Sequence, residues 1–198
     1  KHLKTEPSAS QYPVLAVAES GDHPIHVLRR GNPALPGPLV SPAFPSIFGE
    51  SKLVIPADYK TGNSSGRRRA LAEWVASPDN PMTARVMVNR IWQYHFGRGI
   101  VRSSNDFGLQ GDDPTHPDLL NWLAHQFVES GWDIKAMHRL IMSSQAYQRS
   151  SIPQDGALLK DPLNDLFWRF DMRRLQAEEV RDSILAVRGS LNLEMGGV

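Results

Sequence analysis

The chain has 198 residues, 40% hydrophobic and 22% charged, with 22 Lys and Arg against 21 Asp and Glu and a formal net charge of +1. This length suits one domain, or one domain with an arm, and the near-balance of charge sets up no strong field toward nucleic acid or a membrane surface. With no cysteine, disulfides, thiolate metal sites, iron–sulfur clusters and covalent haem attachment are excluded, and no apolar run approaches the ~20 residues of a membrane span.

Arginine outnumbers lysine. Its planar fork suits carboxylate, phosphate or sulfate, and it is equally favoured in internal ion pairs. Neither a signal peptide nor an initiator Met opens the chain. Lys1 and the abrupt end at Glu194-Met195-Gly196-Gly197-Val198 are expected to be cuts in a longer protein.

In chain order, Pro13–Ala18 is a short apolar run that suits a strand, and residues 24–31 alternate as a better strand candidate, closed by Gly31-Asn32-Pro33. Pro33, Pro36, Pro38, Pro42 and Pro45 exclude a helix or a central strand and predict an extended arm. Leu35, Leu39, Val40, Phe44, Ile47 and Phe48 give that arm apolar surface, so it is expected to pack across the helical body. Lys60–Gly66 reads as a flexible break. A helix over Arg67–Ala76 should turn Leu71, Trp74 and Val75 inward and stop at Pro78.

The next pattern organises the chain. Over Pro81–Phe96, Ala84, Met87, Val88, Ile91 and His95 share one side at one hundred degrees per residue, and Arg85, Asn89, Arg90 and Gln93 spread over the other. Asn80 is placed as N-cap with Pro81 at the first helical position, and Gly97 as a left-handed stop. Thr115-His116-Pro117-Asp118 resembles a capping box and opens a helix that should bury Leu119, Leu120, Leu123 and Phe127. Gly131 should cap it, with Trp132 packing back on Phe127. Asp133 should cap a further helix with Ile134, Met137, Leu140 and Ile141 inward. After a polar loop and the aromatic cluster Leu166–Phe170, a last helix over about 172–188 should place Ala177, Val180, Ile184, Val187 and Leu191 on one side. The predicted fold is mainly α: a compact bundle of four to five helices over residues 60–198, truncated at its C-terminus, with a Pro-rich arm over 1–59 and room for one short strand pair.

No nucleophile elbow, zincin motif, Walker loop or dinucleotide fingerprint is present. His95, in the apolar stripe between Tyr94 and Phe96, suits a general base or a ligand, although that position favours a core histidine bonded to a carbonyl. No partner stands at i±4 to make a metal pair, and His23 and His26 are separated by Pro24, so no metal is expected. Arg85, Asn89, Arg90, Arg98 and Arg102 gather near one helix and its exit loop, with Asp106, Asp112 and Asp113 close behind. This is either an arginine–carboxylate network pinning the loop or an anion pocket with amide donors at Gly97, Gly99 and Gly108. His138 and Arg139 are placed on the wet side of their helix, where they can touch an anion. The helix pair joined at Ser130–Asp133 offers too few basic groups for nucleic acid, so none is expected as a partner.

Several stretches together resemble a known family. They are Arg68–Trp74, Ser77–Pro81, Val88–Trp92, His95–Gly99, Asp106–Gly108, His116–Leu120, Gly131-Trp132, Lys135, His138–Met142 and Ser144, with His26–Pro33 in the arm. Over residues 24–198 the chain resembles the planctomycete-type domain of unknown function numbered fifteen fifty-three. The resemblance implies a large exported, multidomain parent with an extracytoplasmic setting, often carrying a cytochrome c-like module. Any haem would then lie elsewhere in the parent, with no cofactor in this stretch. It carries no catalytic residues. The expected function is an accessory module that binds a neighbouring domain or an acidic polysaccharide through Arg85, Asn89, Arg90, His95, Arg98, Arg102, His138 and Arg139. The alternative is a hydrolytic or redox enzyme with its site around His95 and Arg90–Arg102.

Overall fold

The computed structural model describes residues 23–48, 53, 55–60, 62 and 64–194. These are mainly helical, with six α-helices and one two-stranded antiparallel sheet, so the expected class is met. Among the described residues no helix is long and apolar enough to cross a membrane. The strand expected at Pro13–Ala18 lies outside the described residues. The chain divides into two compact units, meeting in sequence at Pro81 and Met82.

In the first unit, β1 (Ile25–Leu28) pairs with β2 (Pro36–Val40), Ile25 opposite Val40 and Leu28 opposite Pro36. Among the described residues the sheet has these two strands, so each is an edge there, and this is where Pro36 and Pro38 are tolerated. Arg30 (φ 51°) and Gly31 (φ 72°) take left-handed conformations in the connection. Further on, Phe44 stacks on Trp74 of α1 (Arg67–Ala76) at 4.6 Å between ring centroids, with Phe48 tilted against the same indole at 5.9 Å. Phe44 and Phe48 of the arm thus find a partner within this unit, whereas Leu35, Leu39, Val40 and Ile47 are exposed. Leu71 and Val75, expected inward, are 51% and 40% exposed, while Ala70 is the buried residue of α1. Asn80 does not start the next helix. Its buried side chain donates from Nδ2 to the Trp74 carbonyl (3.3 Å), closing α1 behind Pro78.

The second unit holds α2 (Thr83–Phe96), α3 (Pro117–Glu129), α4 (Ile134–Met142), α5 (Asp155–Lys160) and α6 (Ala177–Arg188). α2 begins at Thr83 behind Met82, and Gly97 ends it at φ 82° with its N–H on Gln93 O (2.8 Å), as the glycine predicted. Val88, Ile91, Trp92 and Phe96 of α2 meet Leu120, Leu123 and Phe127 of α3 and Met137 and Ile141 of α4 in one core. Ile100, Val101 and Phe167 from the connecting segments join it. The stripe read from the sequence is therefore too narrow. Trp92 and Phe96 are buried as well, because the segments at 100–101 and 167 wrap a second flank of the helix.

The α3–α4 corner forms as its residues dictate. Gly131 (φ 72°) bonds back to Val128 O (3.0 Å) and Trp132 to Phe127 O (2.9 Å), with the Phe127 and Trp132 rings edge to face at 5.2 Å. Asp133 caps α4 by accepting from Ala136 N–H at 3.0 Å. The box at the start of α3 does not form. Thr115 turns its hydroxyl to Ile100 O, and His116 occupies the cap position with its Nδ1 3.0 Å from the Thr115 hydroxyl and no side-chain bond to the helix. Ile134, expected inward, is 46% exposed at the first turn of α4. The last helix begins at Ala177 rather than near 172, opened by a capping box between Gln176 and Glu179, and none of its residues is buried.

Candidate functional site

The residues singled out by sequence separate into three groups. Asn89 is a structural clamp rather than a surface donor. Fully buried, it donates from Nδ2 to Val101 O and accepts from Val101 N–H, both at 2.9 Å. Gly99 lies so close that a Cβ there would sit 2.6 Å from Asn89 Nδ2 and 2.4 Å from Val101 O. On the rim, Arg85 donates to Asn121 and Arg90 to Asn105, each at 2.8 Å, and Arg139 is exposed near the end of α4.

Arg98 and Arg102 form the second group. Arg98 reaches Asp165 (3.2 Å), Asp171 (2.7 Å) and the Asn164 carbonyl (2.7 Å), with its guanidinium 5.6 Å from the centre of the Phe167 ring. Arg102 shares Asp165, and Arg169 bonds Asp171 at 3.2 Å. The acids are not those expected from Asp106, Asp112 and Asp113. Asp106 folds onto its own turn, accepting from Gly108 N–H at 2.8 Å, and Asp112 and Asp113 are exposed. The arginines instead tie the loop after α2 to a segment more than sixty positions later. That segment is braced from within. Burial acts to raise the Asp161 carboxyl, but the Leu166 and Asp165 amides, with Arg98 and Arg102 beyond them, bring it below its ordinary value.

The third group is a pair that the sequence kept apart. His95 Nε2 and His138 Nδ1, from α2 and α4, lie 2.8 Å apart. The Tyr147 ring stands edge-on to His95 at 5.5 Å and packs on Phe96 and Phe170. His138 is half-buried in this contact, not on a wet face. Burial, then His138, then the charge of Arg173 hold the His95 imidazole below the usual histidine value, toward its neutral form.

His95 opens on a cleft of about 420 Å³. Tyr94, Tyr147, Arg149, Ser151 and Arg173 bring polar groups to it, and Phe170, Met172 and Leu175 supply carbon. Arg149 is held by one bond to Trp168 O (3.1 Å) and Arg173 by a two-pronged pair with Glu179 (2.8 and 3.2 Å). Tyr147, Arg149, Ser151 and Arg173 were not read as site residues. They come from two irregular segments with no periodicity to place them, and only the fold brings them to the end of α2. A second hollow of about 290 Å³ is walled by Trp92, Trp122, Leu123, Leu140 and Ile141. Its two serines, Ser143 and Ser144, already donate to carbonyls of their own helix. Among the described residues no group of three or more His, Asp or Glu is placed to hold a metal ion.

Comparison with curated proteins and with solved structures found no match. A family model described as PSD1, protein of unknown function (DUF1553), matches residues 67–198, leaving the similar motif at His26–Pro33 outside the matched stretch. With well over half of its length matched, the chain belongs to this PSD1 (DUF1553) family.

Proposed function

We propose that the domain is a binding module that recognises an acidic glycan in the cleft beside His95. One observation carries the reading: two arginines and two tyrosines converge on a single cleft that, among the described residues, has no carboxylate in its lining. Tyrosine rings present flat apolar faces with a polar edge. A guanidinium has five N–H donors in a fork that fits carboxylate or sulfate, and the bond to Trp168 uses only one of those on Arg149. Arg98 and Arg102, whose guanidinium ends are paired with Asp165 and Asp171 and which lie outside the cleft lining, are scaffold in this reading. The resemblance of the sequence motifs supports the wider setting, an accessory module of a multidomain protein working outside the cytoplasm beside other domains of its chain, a cytochrome-type neighbour among them.

The test is an array of sulfated and uronate oligosaccharides probed at two salt concentrations. Binding should weaken with salt and fall at least about tenfold in Arg149→Ala, the loss of one charge-assisted contact. Arg102→Ala should bind as the parent does. Equal loss in both variants, or no acidic ligand retained at low salt, would remove the reading.

A second reading has its own observation. His95, held toward its neutral form and bonded to His138, is placed to accept a proton in the same cleft, as a hydrolytic enzyme would need. Its check is turnover of aryl glycoside and ester substrates that is abolished by His95→Gln, and a flat baseline across that panel would dispose of it.

A further inference from the structure

We propose that the cleft takes up one proton, on the His95–His138 pair, whenever it takes an oxyanion, so that anion affinity rises as pH falls. The inference rests on the cleft being an anion site, and it adds the group whose charge responds.

The geometry of the pair limits how many protons it can hold. A 2.8 Å contact between His95 Nε2 and His138 Nδ1 has room for one bridging hydrogen. With the pair neutral, one ring carries the bridge hydrogen and the other ring's outer nitrogen carries the second, which leaves one outer nitrogen bare. Whichever tautomer holds, a single added proton goes to that bare nitrogen and leaves the bridge intact. A second would set two N–H groups against each other and break the contact. The pair is therefore a one-proton store with a structural ceiling.

The surroundings decide when the store fills. Around His95 stand His138 from α4, Tyr147 and Arg149 from the turn that follows, Tyr94 from its own helix, and Arg173 from the segment before α6. The charged groups among these are cations, and Glu179, which is bonded to Arg173, does not line the cleft. In the empty cleft burial and the neighbouring guanidinium oppose a further positive charge. An oxyanion seated between Arg149 and Arg173 reverses the sign of the local field and makes the imidazolium the favoured form. By linkage, if the anion raises the midpoint of the pair by one unit, the protonated protein binds the anion about tenfold more tightly than the neutral one. The gain is present below the free midpoint and is lost as pH rises through the anion-bound midpoint.

The probe is inorganic sulfate, whose charge does not change between pH 5 and 8, with chloride holding ionic strength constant. Histidine ring signals of the full 198-residue chain are followed by NMR through a pH titration, with the histidines outside the pair as internal controls. A sulfated disaccharide is run beside it. The expected result is a His95 midpoint raised by about one unit in sulfate. Sulfate affinity should be up to about tenfold higher at pH 5.5 than at pH 8, and flat with pH in His95→Gln. An unmoved midpoint with pH-independent sulfate binding overturns the proton coupling and leaves the anion site standing. Coupling to sulfate with no affinity for the disaccharide overturns the glycan reading alone. Absence of sulfate binding at either pH overturns both. Because the midpoint is measured on the unaltered protein, the outcome does not depend on a variant folding.

Discussion

Two buried asparagines carry more of this structure than their type would suggest. Asn89 brackets Val101, and Asn164, 1% exposed, does the same to Arg169, accepting from its N–H (3.1 Å) and donating to its carbonyl (3.0 Å). Each side-chain amide stands in for a backbone peptide and satisfies a residue that lies in no helix or strand. Asn89→Ala would leave the Val101 N–H without its partner and the Val101 carbonyl with only a long bond from the Ser104 hydroxyl (3.5 Å), in a buried site, a cost of about 2–4 kcal/mol. Asn89→Asp should fare little better, since a carboxylate cannot donate to Val101 O. Urea unfolding measures both, and a loss below half a kilocalorie in Asn89→Ala would show that the bracket contributes nothing net. Gly99→Ala tests the same spot from outside, because a methyl group 2.4 Å from Val101 O has nowhere to go. That variant is expected to be insoluble, or to unfold at a much lower urea concentration than the parent.

At the scale of elements, the α3–α4 corner and α6 give opposite forecasts. Gly131 has a positive φ and open space where a Cβ would lie, so Gly131→Ala isolates backbone strain, expected to cost about 1 kcal/mol. Asp133→Ala removes the cap of α4 for about the same amount. The two effects should add only in part, because the residues share one corner. In α6, Val187 is 92% exposed and Ile184 62% exposed, so truncating either to alanine should change stability by less than about 0.5 kcal/mol. Phe127→Ala, in the core at 1% exposure, should lose about 3–5 kcal/mol. Thermal melts of these variants would rank them, and a large loss at Val187 would mean that α6 buries its apolar side after all.

For the whole molecule, His95 gives stability a pH dependence of defined sign. Its folded pKa lies below the unfolded value near 6.5, so the unfolded chain binds the proton first as pH falls. Stability is then full above about pH 6.5 and declines toward the folded midpoint below it. His95→Gln should flatten that part of the profile, as read from urea midpoints between pH 5 and 8. An unchanged slope would assign it to other groups. Part of this organisation is legible in the sequence: the period of α2, α3 and α4, the glycine stops at Gly97 and Gly131, the cap at Asp133 and the strand before the proline arm. The pairings that build the site are not, because they join distant positions. His95 meets His138 across 43 positions, and Arg98 meets Asp171 across 73. Local spacing offered Asp106, Asp112 and Asp113 as nearer acids, and only the route of the chain after α5 decides against them. Spacing likewise gave α6 one apolar side, although amphipathic spacing cannot say whether anything covers it.

The Asn89 bracket has a consequence for chain length. Its two ends are twelve positions apart and are joined through the last turns of α2, Gly97 and Gly99. Helix and bracket together close a ring of fixed size, with the amide as its latch. Inserting or deleting one residue between Phe96 and Val101 would offer the latch a different peptide and pull Ile100 from its buried seat. In this stretch the number of residues is as much a specification as their identity, and a loop on the edge of a helical domain has no freedom to vary its length.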